Sequence, residues 1–510
     1  MASNKNSVML CVPPQGYFAE RWKESSMPSL GVLYMAACLE REGIPVRTLP
    51  SHVMRMSIPD IVRTVEEDKP AIFGVTVTTE NRLEAFNVAR AVKMARPETL
   101  VVTGGPHCSA TGLDTLSHIP EIDVSVSGEG EHTIVELARV MERGGGAKEF
   151  SKIEGLTFRD DRGAIISTGP RMKIPDLNSL PFPARHLEDM SLYNFKVEVP
   201  GKGILPAANL MTSRGCPFDC NFCATPVNWG RKVRGVDAEK VLAEIEHVAT
   251  RYGAKVIWFY DDTLNYNPKR LEKICDMMIE RKLGLNWFCE IRVDIIERPL
   301  FDKMVEAGMY HFGFGVESAN RRICDQVIHK KATLKQAVDV IGWANEAGVT
   351  ANPFFIFSHP TETWDEALET LRFAESLRGK AQCSMAILHV YPGTELWDRA
   401  VAERKIPADF TWTSEDDPRI MELPEAQGRI PLYMDKLSWY QISTIIFRFS
   451  QSALKVSLWS KVAKAAKRIN SMRRLWQYTV MGAALVSLKL KNLMRGAPEP
   501  AKPSTPPAAY

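Results

Sequence analysis

Twice along the chain, short apolar runs alternate with amphipathic stretches, and this alternation constrains the fold more than any other feature. Within residues 1–149 the runs are Ser7–Val12, Pro45–Leu49, Ile72–Val77, Leu100–Thr103 and Val124–Ser127. Between them lie helical patterns, such as Leu30, Leu33, Ala37 and Leu39 ahead of Gly43, or Ala85, Val88, Ala89 and Val92 ahead of Pro97. Strands separated by helices pair in parallel and are covered on both faces, which predicts an α/β, Rossmann-like, doubly wound unit. From 207 to 410 the alternation returns with longer helices. Its runs are Ala207–Thr212, Lys255–Tyr260, Asn286–Ile291, Tyr310–Val316, Thr350–Phe357 and Gln382–Val390. These six strand–helix units predict a partial (β/α)6 barrel of the TIM type.

Ligands of such sheets gather beyond the carboxyl ends of the strands. In the first unit those ends read Thr76-Val77-Thr78-Thr79, Gly104-Gly105-Pro106-His107 and Gly128-Glu129-Gly130-Glu131. The glycines admit close approach of backbone to a large flat ligand, and taken alone they suit tight turns equally well. In the second unit the ends read Ser213-Arg214-Gly215-Cys216, Asp261-Asp262, Arg292-Val293-Asp294, Glu317-Ser318, Ser358-His359-Pro360 and Tyr391-Pro392-Gly393-Thr394. Polar groups recur wherever an apolar run stops. Between the units, residues 150–206 hold a hairpin pattern around Asp161-Arg162-Gly163 and then six prolines, expected as an inter-domain connector.

Ten cysteines in 510 residues are too sparse for a disulfide scaffold and point to a reducing compartment. With 45% hydrophobic and 25% charged residues the chain is not a disordered polymer. The N-terminus carries no signal-peptide pattern, so a cytoplasmic location is expected. Three cysteines fall in one short stretch, Cys216-Pro-Phe-Asp-Cys220-Asn-Phe-Cys223. Three thiolates on one loop can wrap an iron–sulfur cubane and leave one iron open. The competing reading is a zinc or buried-thiol loop, although zinc prefers four closed ligands and no fourth Cys or His lies nearby in sequence. The other seven cysteines sit in apolar segments, as small buried hydrophobes do.

Cys-x3-Cys-x2-Cys just after the first strand of a partial barrel resembles the signature of the radical S-adenosylmethionine (SAM) enzymes. Gly313-Phe-Gly-Val-Glu317-Ser318 and Tyr391-Pro-Gly-Thr394 are similar to that family's fourth- and sixth-strand motifs. Pro28-Ser-Leu-Gly31, Gly104-Gly-Pro-His107 and Gly128-Glu-Gly-Glu131 resemble the cobalamin-binding domain that one branch carries before the barrel. The resemblance implies a [4Fe-4S] cluster on Cys216, Cys220 and Cys223, whose open iron chelates SAM so that one electron releases a 5′-deoxyadenosyl radical. It places Phe222 near the adenine and Glu317 and Ser318 at the ribose or methionine part. For Glu317 a solvated helix N-cap region is the alternative. It implies cobalamin contacts from Ser29, Leu30, Gly31, Thr76, Thr78, Gly104, Gly105, Pro106, His107, Gly128 and Glu129, with His107 equally able to be a polar turn residue. Asp261, Asp262, Glu290 and Arg292 are expected at the same cavity with open roles.

Two departures stand out. No Asp-x-His-x-x-Gly loop exists, so cobalamin would be held without a protein His on cobalt. Ser358-His359-Pro360-Thr361-Glu362 replaces a turn that is often Gly-rich, as though reshaped for a particular substrate.

The net charge of +3 hides an asymmetry, because residues 436–495 carry twelve Lys or Arg and no Asp or Glu. Residues 411–496 are read as a basic helical region with Ile442, Ile445, Ile446 and Phe449 on one face, and 497–510 as a disordered tail. Leu458, Trp459, Val462, Leu475, Trp476 and Tyr478 interleave with the charges. That mixture favours a helix in an anionic membrane interface over nucleic acid, with a solvated helical cap as the plain alternative. The RNA-modifying relatives usually append a β-barrel module that is not evident here. The expectation is therefore a cobalamin-dependent radical SAM enzyme performing methyl transfer, C–C bond formation or cyclisation on a hydrophobic lipid, hopanoid or tetrapyrrole. An electron donor such as flavodoxin or ferredoxin would serve it. The competitors are a cobalamin-free radical SAM enzyme acting on RNA or a small molecule, and a non-catalytic metal-binding interaction protein.

Overall fold

A computed structural model describes residues 7–14, 26–423, 429–449 and 472–494. The strands are β1 (Val8–Val12), β2 (Val46–Pro50), β3 (Ile72–Thr76), β4 (Leu100–Gly104), β5 (Val124–Val126), β6 (Leu156–Arg159), β7 (Ile165–Ser167) and β8 (Lys196–Val199). They continue as β9 (Gly203–Leu210), β10 (Ser213–Arg214), β11 (Arg234–Gly235), β12 (Val256–Phe259), β13 (Asn286–Glu290), β14 (Met309–Glu317), β15 (Thr350–Phe357) and β16 (Ser384–Ile387).

The first sheet has the order β2-β1-β3-β4-β5-β6-β7, parallel through β5 and antiparallel beyond it. Strand alternation splits its side chains between two cores. Val8, Leu10 and Val12 meet helices Leu30–Arg41 and Glu131–Glu142. Met9, Cys11, Phe73 and Val75 meet helices Ile58–Asp68, Arg82–Ala95 and Cys108–His118 on the other face. The order reverses at β1, which opens a crevice between the carboxyl ends of β1 and β3.

The second sheet runs β16-β15-β14-β13-β12-β9-β8, six parallel strands in chain order with β8 antiparallel at the edge. Its outer face, with Ile257, Phe259, Trp287, Phe312, Phe314, Phe355 and Phe357, buries against the helices. This is the expected partial barrel. Its inner face near β8 and β9 holds Phe195, Trp258 and Phe288, with the last two rings stacked at 5.0 Å.

Residues 150–206 are not a spacer. Strands β6 and β7 extend the first sheet and β8 closes an edge of the second, because an uncovered strand edge leaves unpaired N–H and C=O groups. Asp160 fixes the expected hairpin by accepting hydrogen bonds from the N–H groups of Arg162 and Ala164.

After the barrel the chain returns to the first unit. The Trp412 N–H donates to Asp114, and the Arg82 guanidinium donates to the Trp412 carbonyl at 2.7 Å. Ile442 and Ile445 then bury in the barrel core, and Ile446 and Phe449 pack against it. Helix Met472–Met494 lies on helix Trp439–Phe449 through Ala484, Leu485 and Phe447. Among the described residues no helix is long and apolar enough to cross a membrane. Leu458, Trp459, Val462 and the tail 497–510 lie outside the described residues.

Candidate functional site

The cysteine loop leaves the barrel between β10 and β11, which pair so that Arg214 stands opposite Arg234. Gly215 adopts φ +101°, and a Cβ there would sit 2.6 Å from the Lys232 carbonyl, so only glycine closes this turn. Cys216, Cys220 and Cys223 are all half-buried. Burial raises the Cys220 thiol, while Lys330 and Arg292 favour its thiolate and Glu317 opposes them. Burial pushes Cys223 up to about 11. The Arg292 guanidinium lies 3.5 Å over the Phe218 ring within the loop and pairs with Asp294. Among the described residues no three His, Cys, Asp or Glu side chains converge as metal donors. The case for a cluster is therefore one of donor chemistry. Three soft thiols share one loop beside two cations, a set that suits iron–sulfur better than a hard cation.

Phe222 packs beside Leu388, Val390 and Leu396, with its ring 6.2 Å from that of His359. Glu317 sits at φ +63° after a register shift in β14, buried and paired with Lys330 at 2.7 Å. A Cβ on Gly315 would overlap both groups of that pair, so the pair depends on a glycine there. Ser318 departs from expectation. Its hydroxyl bonds Thr370 at 3.0 Å on the outer helix Trp364–Ser376 and caps the Asn320 N–H, so it faces away from the cysteine loop.

Along the carboxyl edge of the first sheet, Gly105 at φ +113° would place a Cβ 2.7 Å from the Val77 carbonyl. Thr76, Thr78, Gly104 and Gly128 share this edge without a charge among them, Pro106 is exposed, and Gly31 has open space around it. Ser29 precedes the first helix and makes no capping hydrogen bond. Such an edge fits a large flat ligand approached by backbone.

Three residues on the list of cobalamin contacts are placed otherwise. Leu30 is buried among Ile174, Leu177 and Leu180. His107 is fully buried between Phe86 and Trp412, with Nδ1 3.2 Å from the Thr79 hydroxyl and Nε2 unpartnered. Burial and then Arg82 hold it neutral, well below the usual histidine range. Glu129 belongs to an ionic clamp that joins the two units.

That clamp is not anticipated by the sequence reading. Arg214, two residues before the first cysteine, reaches Glu129 at 2.7 Å and Glu131 at 2.6 Å. Arg234 reaches Glu129 Oε2 at 2.7 Å, and the Ile174 N–H donates to the same oxygen. All four side chains are buried, and the Arg214 guanidinium lies between Trp229 and Tyr34. Burial raises Glu129, but Arg234 and Arg214 outweigh it and hold the carboxyl below its usual range. A second tie runs from the Tyr391 hydroxyl to Glu80 at 3.0 Å. In the barrel mouth, Asp261 is fully engaged by Thr212 and Ser213, burial raises Asp262 to about 6, and burial with neighbouring carboxylates raises Glu290 to about 7. Charged residues are buried only when paired, so Arg214 just ahead of the triad and the Glu-x-Glu at a strand end were the available signals.

Residues 210–374 match the Radical SAM superfamily and residues 24–138 the B12 binding domain. The uncharacterized methyltransferase PH0819 of Pyrococcus horikoshii is 33% identical over 396 residues, covering 78% of this chain and 83% of that one. The chain belongs to the radical SAM superfamily. Anaerobic magnesium-protoporphyrin IX monomethyl ester cyclase of Cereibacter sphaeroides is 28% identical over 68% of this chain and 56% of its own length. The solved radical SAM methyltransferase TsrM of Kitasatospora setae, with cobalamin and a [4Fe-4S] cluster bound, has a TM-score of 0.68 at 15% identity, covering 95% of this chain and 99% of that one. That likeness carries the fold, including the order of its units. This radical SAM protein is accordingly an enzyme of the cobalamin-dependent branch, with a [4Fe-4S] cluster, SAM and cobalamin as cofactors.

Proposed function

We propose that this radical SAM enzyme transfers a methyl group to an unactivated carbon of a hydrophobic substrate, a lipid or a tetrapyrrole. The observation that carries the reading is the buried clamp of Arg214 and Arg234 on Glu129 and Glu131, which sets the cysteine loop at a fixed place against the glycine edge of the B12 unit. Radical chemistry needs its reacting groups held in register and away from water, and a desolvated, fully paired network supplies that rigidity.

In this assignment Cys216, Cys220 and Cys223 hold the cluster, Phe222 lines the adenine site, and Glu317 with Lys330 receives the ribose or methionine part. Thr76, Thr78, Gly104, Gly105, Pro106, Gly128, Ser29 and Gly31 form the cobalamin platform, with Leu30 and His107 supporting it from the core. When bound, the cluster with SAM supplies a 5′-deoxyadenosyl radical and cobalamin carries the methyl group. Tyr260, exposed at the end of β12 and edge-on to the buried Trp258, supports a substrate with an apolar face. Methyl transfer ranks above cyclisation because PH0819, a methyltransferase by name, matches over most of both chains while the cyclase matches over 56% of its length. A small one-electron donor such as flavodoxin or ferredoxin serves the cluster.

The test is anaerobic turnover with methyl-deuterated SAM on lipid and pigment extracts from cells lacking the gene. Label entering an extract component, together with 5′-deoxyadenosine, supports the reading. Release of 5′-deoxyadenosine with label in no component overturns it.

A further inference from the structure

Helix Met472–Met494 shows one face to its neighbour and another to solvent. Gln477, Ala484 and Leu485 are buried against helix Trp439–Phe449. On the opposite side Met472, Trp476, Thr479, Ala483, Val486 and Leu490 are all exposed. Their spacing alternates four and three residues, so they form one continuous stripe along the helix. At 1.5 Å per residue the stripe is about 27 Å long. Met472 is 79% exposed, Leu490 55% and Trp476 48%, and Leu475 widens the stripe at its start. It contains no charged residue. An apolar patch of that length on a water-soluble surface marks an interaction site.

The charge around it identifies the partner. Arg473 and Arg474 pair with Asp416 and Glu422 and so anchor the helix to the body, and Arg448 pairs with Glu375. The sequence from 436 to 495 also carries Lys455, Lys461, Lys464, Lys467, Arg468, Lys489, Lys491 and Arg495, with no Asp or Glu among them. An apolar stripe on a helix without a single Asp or Glu, set in a basic segment, has the chemistry of an interfacial helix on anionic lipid: apolar burial and headgroup attraction add. Nucleic acid would use the charges and leave the apolar stripe in water.

We propose that helix Met472–Met494 docks the enzyme on an anionic membrane surface, stripe inward, without spanning it. This goes beyond the proposed reaction and does not depend on it, because binding is read without turnover. The experiment is flotation of the full chain with vesicles of phosphatidylcholine, with or without phosphatidylglycerol. The enzyme is expected to float with phosphatidylglycerol present, to remain below without it, and to be released by high salt. Joint replacement Trp476→Glu and Leu490→Glu is expected to lower partitioning about tenfold, since burying two such side chains is worth at least that factor. Both positions are exposed, and an unchanged circular dichroism melt establishes that the variant folds. A full chain that stays below with phosphatidylglycerol vesicles, a double variant that floats like the parent, or retention on RNA without flotation would each overturn the proposal.

Discussion

Both sheets are seven strands wide, parallel over most of their width and finished by an antiparallel edge, but the first reverses at β1 while the second runs in chain order from β9 to β16. Their carboxyl edges differ in kind. The first offers Thr76, Thr78, Gly104, Gly105 and Gly128, backbone groups and hydroxyls with no charged side chain among them, and Lys173 beside Gly128. The second offers the Glu317–Lys330 pair, Arg292 with Asp294, and the raised carboxyls of Asp262 and Glu290 beside three thiols. An edge built from backbone suits a large ligand rich in amides and apolar rim. An edge built from paired charge suits a charged cluster and a zwitterionic cofactor, whose fields need answering in a low dielectric. One scaffold pattern thus serves two kinds of binding, and the side chains at strand ends decide which.

The largest expected effect separates the two edges. Cys220→Ala should abolish the iron–sulfur absorbance and SAM cleavage while leaving cobalamin binding to the first unit within about twofold of the parent, measured by iron content, 5′-deoxyadenosine release and cobalamin titration. Loss of cobalamin along with iron would mean that the two edges form a single site. Next in size is the clamp where the edges meet. Arg214→Ala leaves Glu129 and Glu131 short of a partner in a buried setting, a change that costs about 3–5 kcal/mol in comparable ion pairs. Chemical unfolding should show that loss, and adding Glu131→Gln should recover part of it. If the double variant is no better than the single one, the pair is not coupled as the distances imply.

How much of this was readable beforehand follows from how local each signal is. Strand positions were legible because alternation and turn residues act within a few residues, and the cysteine loop because its spacing is itself the signature. The clamp was not, since Arg214 and Glu129 are 85 residues apart in sequence and meet only when two sheets are placed edge to edge. For Ser318 the resemblance carries only a motif position, and the register shift between Gly315 and Glu317 decides which way its hydroxyl turns. The prolines of 150–206 mark an inter-domain connector, whereas the pairing of β6, β7 and β8 is decided by sheet edges elsewhere in the chain. The ion pairs of Arg473 and Arg474 were not legible because Asp416 and Glu422 lie more than fifty residues earlier.

A smaller effect sets the two edges against each other by pH. Burial, then Asp262 and Glu317, raise Glu290 to about 7, so between the usual carboxylate range and about 7 the folded chain holds a proton that the unfolded chain has lost. Stability from this group therefore falls as pH rises through that window. Glu129 behaves oppositely, because a carboxyl held below its usual range loses its contribution as pH falls. Glu290→Gln should gain on the order of 2 kcal/mol over the parent at about pH 8 and little at about pH 5, read from urea unfolding. Glu129→Gln should be destabilising about equally at both pH values, which lie above the usual carboxylate range, and less so only below about pH 4. Parallel pH curves for the two variants would show that the edges do not differ electrostatically as described.

The smallest expected change concerns His359. The ring is fully buried, its polar contact is confined to the Ile356 backbone, and burial outweighs that contact and holds its pKa down to about 3, so it is a neutral imidazole at any working pH. Beside it the Glu362 carboxylate accepts the N–H groups of Ser358 and His359 with one oxygen and leaves the other unpartnered. A buried polar ring left short of hydrogen bonds costs about 1–3 kcal/mol relative to an apolar one of similar shape. His359→Leu should therefore raise the thermal midpoint of the protein without added SAM by a few degrees. The Phe222 ring lies 6.2 Å away, and Ser358 and Thr361 hold positive φ, backbone strain of the kind that clusters at ligand sites. SAM affinity, read by equilibrium dialysis with the cluster in place, should weaken by about tenfold in the same variant, the worth of one hydrogen bond to a buried neutral donor. A raised midpoint with unchanged affinity would reduce His359 to a packing residue, and the barrel edge would then answer SAM through charge alone.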